Sequence, residues 1–130
     1  MKVLKRLLGA VPTSSDGRVR NYLANPSLGA TQSTIHENVI NPGGAVPWHY
    51  HATEEILVVL EGDGQALTDI GAEFYAAGDV VIIPAGRKHS LRNTGTVPLR
   101  QLCFFPGDPG TVRLEGEAYD GQSFTVVNAT

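Results

Sequence analysis

Two short runs, ILVVL at 56–60 and VVII at 80–83, set the tightest limit on how this chain folds. Successive side chains on a strand point to opposite faces, so a strand apolar at every position needs burial on both. Helical periodicity is almost absent elsewhere. Fifteen glycines and eight prolines punctuate the 130 residues into short runs, the pattern of an all-β sandwich or barrel. Strands are expected at 33–40, 48–51, 55–61, 64–68, 72–76, 79–84, 88–93 and 98–105, with weaker ones near 111–115 and 123–127. Between them lie EGDG, DIG, AAGD, PAG, NTGT and PGDPG, each with Gly or Pro where a tight turn needs it. Near the start, Val3, Leu4, Leu7, Leu8 and Val11 have helical spacing, but so short a segment reads equally as a packed terminal strand. No linker, repeat or low-complexity tract divides the chain, so residues 1–130 are expected to form one domain.

The two apolar runs carry a second implication. One face of each fills the interior of a barrel. The other needs a cover, and no long helix is in sight to provide it. Either the terminal segment or a second copy of the chain must do so, and the expectation is a homodimer packed sheet on sheet.

A formal net charge of −3 gives no electrostatic basis for nucleic-acid binding; Lys2, Lys5 and Arg6 form the one basic cluster. The uninterrupted apolar stretch 7–11 is shorter than a signal peptide's core, and no segment has the length of a membrane span. The single cysteine, Cys103, excludes an internal disulfide framework and fits a reducing, cytoplasmic setting. Inside the run LCFF it reads as a small buried hydrophobe.

The segment 43–55, GGAVPWHYHATEE, holds the chemistry. His49 and His51, two apart on a strand, project to one face about 7 Å from each other, with Trp48 and Tyr50 on the other side. Glu54 and Glu55 follow, on opposite faces of the next strand. PAGRKHSLRN, 84–93, then delivers His89 at the start of a strand. Imidazoles and a carboxylate are costly to bury beside an apolar run unless something compensates them, and this donor set suits a borderline divalent first-row metal. On spacing alone, an H-x-H pair reads as core histidine or as ligand with equal ease. His36 matches no pattern and reads as structural or exposed.

Ten positions then fall into two spaced motifs: Gly43, His49, His51, Glu55 and Gly62 over 43–62, and Gly78, Pro84, Gly86, His89 and Asn93 over 78–93. These resemble the two motifs of the cupin superfamily, in the short spacing of its small single-domain microbial members. The resemblance implies an all-β, double-stranded β-helix (jelly-roll) barrel enclosing a metal. It implies His49, His51, Glu55 and His89 as ligands, Glu55 rather than Glu54 taking the carboxylate position. The glycines then fit the turns, Pro84 ends a strand before His89, and Asn93 is a turn or hydrogen-bonding residue.

Four protein ligands on an octahedral ion leave open positions, the mark of a catalytic centre. The implied cofactor is one divalent transition metal, Fe or Mn first, with Ni, Co, Zn or Cu as alternatives. The implied partner is a small-molecule substrate, with no nucleic acid and no membrane. Among the family's activities, a dioxygenase acting on a small oxygenated organic compound comes first. A redox-neutral isomerase, cyclase or lyase using the metal as a Lewis acid is the alternative. A non-catalytic metal-containing binding or sensing module is the third reading. No second catalytic group is evident; Phe74, Gln101, Cys103 and Phe105 are candidates to line the cavity.

Overall fold

A computed structural model describes residues 1–9 and 17–115, together with the backbone of 125–129. The chain forms β1 (Arg18–Ala24), a single 3-10 turn (Pro26–Leu28), β2 (Thr34–Ile40), β3 (Ala45–Tyr50) and β4 (Glu55–Glu61). It continues with β5 (Asp63–Thr68), β6 (Gly71–Ala76), β7 (Val80–Ile83), β8 (His89–Asn93), β9 (Leu99–Phe105), β10 (Val112–Glu115) and β11 (Thr125–Ala129). Every strand read from the sequence is present, with ends shifted by at most three residues. Two antiparallel sheets result, ordered β1-β2-β9-β4-β7 and β11-β10-β3-β8-β5-β6. No helix among the described residues is long and apolar enough to cross a membrane.

The core sits between the sheets. Ile40, Leu57, Val59, Leu99, Cys103 and Phe105 come from the first sheet, and Val46, Ala66, Tyr75 and Leu91 from the second. Along β9 the burial alternates strictly, with Leu99, Gln101, Cys103 and Phe105 turned inward, as period-2 geometry requires. Polar groups pin the sheets to each other. Tyr75 donates its hydroxyl hydrogen to Gln101 Oε1 at 2.8 Å. Asn93 donates through Nδ2 to the carbonyls of Ile40 and Val97, both at 2.8 Å, and its Oδ1 accepts from Gly95 N–H. Asn93 is thus the hydrogen-bonding residue that the second motif implied. A second apolar cluster, Trp48, Leu67 and Leu114 with Tyr50 and Val112, lies on the far side of the second sheet, where alternation put Trp48 and Tyr50.

Three expectations are corrected. Strand β1 was not foreseen, because its cavity-facing positions carry Arg20 and Tyr22 and its alternation shows no apolar face. The terminal residues 1–9 form neither helix nor strand. They lie on the first sheet, where Gly9 N–H donates to Glu37 Oε1 and the Leu7 carbonyl accepts from Asn21; Val11 lies outside the described residues. Phe74 does not line the interior, since it is 74% exposed on edge strand β6. Among the described residues, the outer face of ILVVL and VVII is also only partly covered: Val58, Leu60, Val80 and Ile82 are exposed.

Gly43 and Gly62 both adopt left-handed backbone, with φ of 80° and 89°. A Cβ at Gly43 would meet nothing, whereas one at Gly62 would stand 2.8 Å from the Pro98 carbonyl oxygen. Gly43→Ala should cost about 1 kcal/mol of strain alone. Gly62→Ala adds a backbone clash and should cost roughly 3 kcal/mol. Urea unfolding of the two variants measures the difference; equal midpoints would mean that the close approach at Gly62 has no energetic weight.

Candidate metal centre

The four expected residues converge. Donor atoms of His49, His51, Glu55 and His89 all lie within 4.8 Å of one another, and all four residues are buried. Two local devices bring them together. A register shift in the β3–β8 ladder sets His49 directly opposite His89. The Pro84-x-Gly86 turn then clamps the second motif onto the first, Gly86 N–H donating to the His51 carbonyl at 2.8 Å. Glu55 enters from the other sheet as the first residue of β4. Its neighbour Glu54 is exposed, so the choice between the two glutamates is decided by strand register.

The hydrogen bonds fix which nitrogen faces inward. His49 Nδ1 lies 2.6 Å from the Pro47 carbonyl and His89 Nδ1 lies 2.7 Å from that of Arg87. A carbonyl only accepts, so both Nδ1 atoms carry the hydrogen, and Nε2 is the nitrogen left to offer a lone pair to the centre. His51 Nδ1 lies 2.8 Å from Thr111 Oγ1, which engages that nitrogen and leaves Nε2 towards the centre. Such outer partners are how metal-binding imidazoles are oriented. The rings are splayed, with interplanar angles of 74°, 55° and 51° among the three pairs.

The result is a concentration of acceptors. Glu55 Oε1 stands 3.3 Å from His89 Nε2 and 3.6 Å from His51 Nε2, and His51 Nε2 has no hydrogen-bond partner. Burial pushes the proton affinity of His49 well below that of free imidazole, helped by the neighbouring His89 and His51. Burial likewise lowers His51, to about 4, against the opposing pull of Glu55. Burial alone would raise Glu55; whenever a proton sits on His89 Nε2, its hydrogen bond and charge, with the charge of His51, bring the carboxylate below its ordinary value. Neutral imidazoles around an ionised carboxylate, lone pairs inward, fit a divalent cation.

Sequence reasoning missed a neighbour. His36, on β2, is buried and brings a nitrogen within 4.8 Å of a Glu55 oxygen and Cys103 Sγ. It sits edge-on to Tyr22 and tilted against Phe105. Its Nδ1 has no partner, and burial followed by the charge of Arg20 lowers its pKa to about 4. Lacking a motif partner in sequence, it left no signal except its own unexplained presence on a strand. Cys103 behaves as the sequence suggested. It is fully buried, accepts from Asn38 Nδ2 at 3.4 Å and has its thiol pKa pushed well up by burial and by Glu55. Gln101 is buried too, and Phe105 walls a cavity beside His51.

A family model for the cupin domain matches residues 37–105. The chain is a cupin. It is 32% identical over 108 residues to an uncharacterized protein of Methanocaldococcus jannaschii, covering 79% of this chain and 86% of that one. It is 33% identical over 97 residues to an (R)-mandelonitrile lyase of Granulicella tundricola, covering 74% of this cupin and 66% of the lyase. Among solved structures, a double-stranded β-helix protein of Klebsiella pneumoniae superposes with a TM-score of 0.69 at 22% identity, covering 79% and 84% of the two chains. Oxalate decarboxylase of Bacillus subtilis, a protein with Mn(II) centres, superposes with a TM-score of 0.72 at 24% identity. The cupin covers 31% of that chain with 83% of its own. These structures share its fold.

Three substitutions test the centre by metal analysis of purified protein. His89→Ala and Glu55→Gln should sharply lower bound metal, while Glu54→Gln should leave it nearly intact; loss with Glu54→Gln alone would place the carboxylate one residue away. The pH response follows from the depressed imidazoles. A free histidine protonates near 6.5, whereas His36 and His51 resist protonation until about 4. In that window the unfolded chain binds more protons, so the metal-free protein should lose stability as pH falls from 6.5 towards 4, by up to about 1.4 kcal/mol per pH unit for each such group. Urea midpoints measured across this range should fall, and a flat profile would contradict neutral burial.

Proposed function

We propose that this cupin is a divalent-metal enzyme acting on a small oxygenated compound by redox-neutral, Lewis-acid chemistry. The observation that carries the reading is His36, a buried imidazole with a free Nδ1, beside the four-residue cluster and lining the cavity next to it. His49, His51, Glu55 and His89 would hold the metal, which when bound polarises an oxygen of the substrate. His36, kept neutral by burial, is placed to take a proton from a substrate hydroxyl or an acidified C–H and to return it to the leaving fragment. Phe105 and Tyr22 flank that imidazole. The similarity to a protein named as a lyase supports this order of readings. The buried thiol of Cys103, a residue suited to a reducing compartment, supports a cytoplasmic setting.

The experiment loads the chain with Mn(II) or Fe(II) and screens 2-hydroxynitriles and β-hydroxy carbonyl compounds, in air and in sealed anaerobic vials. Cleavage or isomerisation at equal rates in both is the expected result. His36→Gln should lower kcat by about 100-fold or more with metal content unchanged. Oxygen uptake matching product would establish the dioxygenase reading in its place, and tight ligand binding without turnover would leave a binding module.

We also propose a homodimer. Val58, at 39% exposure, and Ile82, at 63%, lie with Leu60 and Val80 on one outer sheet face. Among the described residues, 1–9 hydrogen-bond to Glu37 of β2 and Asn21 of β1, at the other end of that sheet from this patch. A second copy packed across a two-fold axis would bury it twice. Light scattering at micromolar concentration should give twice the mass of one chain, and Val58→Asp should give one. A monomeric parent would remove the proposal.

A further inference from the structure

Strand β1 brings one feature to the site that neither motif contains. A cavity of about 250 Å³ opens beside His51, walled by Arg20 and Tyr22 of β1, His36 of β2 and Phe105 of β9. Arg20 and Tyr22 are two apart and register against Asn38 and His36 of β2, so both face the side of the sheet that carries the centre. The guanidinium is held in place. Arg20 Nη1 donates to the Tyr22 hydroxyl at 3.1 Å, and its Cζ lies 5.9 Å from the centre of that ring.

Its charge is not neutralised by any ion pair among the described residues. Arg87 pairs with Asp69, and Arg100 with Glu37 and Glu61; Arg20 has the tyrosine. Asp108, the carboxylate that lines the same cavity, has Oδ1 engaged by Gly110 N–H at 3.0 Å. An arginine left free at the mouth of a small cavity, steadied by a phenol, is suited to a planar carboxylate. Without a second Lys or Arg among the lining residues, it suits a monoanion better than a phosphate dianion.

We infer that Arg20 anchors the carboxylate of a small organic acid whose other end reaches the centre past His36 and His51. The carboxylate anchor stands on the cavity alone; the second half rests on the metal reading above. Substrate selection then depends on a strand outside both family motifs, with Tyr22 as the residue that positions the guanidinium.

The test titrates the Mn(II)-loaded chain by calorimetry with acetate, lactate and mandelate, each against its own amide of nearly equal shape. At least one acid should bind tenfold or more tightly than its amide. Arg20→Gln should weaken that acid at least tenfold while leaving the amide and the metal content unchanged, and Arg20→Lys should restore part of the loss. Tyr22→Phe should give a smaller loss in the same direction. Repeating the titration on metal-free protein separates the two claims, because a preference for the acid that persists there and disappears in Arg20→Gln comes from the arginine whatever the centre holds. If no acid is preferred over its amide, or if Arg20→Gln keeps the preference, the anchor is wrong. Failure of the native protein to bind metal would overturn the metal reading and leave the anchor standing.

Discussion

A buried carboxylate from one sheet faces imidazole lone pairs from the other, and the arrangement of the barrel follows from holding them there. Glu55 begins β4 in the five-stranded sheet, while His49 and His89 are cross-strand partners in the six-stranded sheet. Acceptors at 3.3 Å and 3.6 Å in a buried site repel unless a cation or a proton lies between them. The surrounding structure commits each ring before any cation arrives: two carbonyls and a threonine hydroxyl occupy the three Nδ1 atoms. Those contacts leave the imidazoles one useful orientation. The turn from Pro84 to Gly86, bonded to the His51 carbonyl, keeps the two halves of the cluster in register.

Around this cluster the interior is divided by polarity. Towards one end, Tyr75, Gln101 and Asn93 tie the sheets with hydrogen bonds amid packed aliphatic side chains. Towards the other, His36, Tyr22, Phe105 and Arg20 border a cavity that reaches His51. The first region makes a rigid support whose side chains are committed to one another. The second leaves an imidazole nitrogen and a guanidinium with capacity to spare. A site that must accept a ligand needs such unspent hydrogen-bonding capacity, and it sits on strands β1 and β2, beside the motifs that build the cluster.

The outer faces differ as well. Glu37, fully buried on the outside of the first sheet, is satisfied by Gly9 N–H and by Arg100, so the terminal segment is docked by polar contacts. At the β4–β7 end of the same sheet the outer side chains are aliphatic and exposed. One sheet therefore presents a polar half covered by its own chain and an apolar half that its own described residues cover only in part.

Much of this was legible in the residues alone. Period-2 alternation and glycine or proline at each turn determined the strands, because strand faces and tight turns are local matters of sterics and solvation. The spacing of two histidines, one glutamate and a later histidine determined the cluster, because the motif fixes strand register and register fixes which side chains share a face. Other features were decided only by tertiary structure. His36 has no partner nearby in sequence; it becomes a site residue because β2 pairs with β9 and sets it beside Cys103 and Phe105. Strand β1 was invisible because Arg20 and Tyr22 line a water-accessible cavity rather than a core, which removes the hydrophobic signal. Phe74 read as a lining residue by its type, yet an edge strand left it in solvent. Sequence determines what each strand buries on average, and which cavity a polar side chain enters is decided by partners distant along the chain.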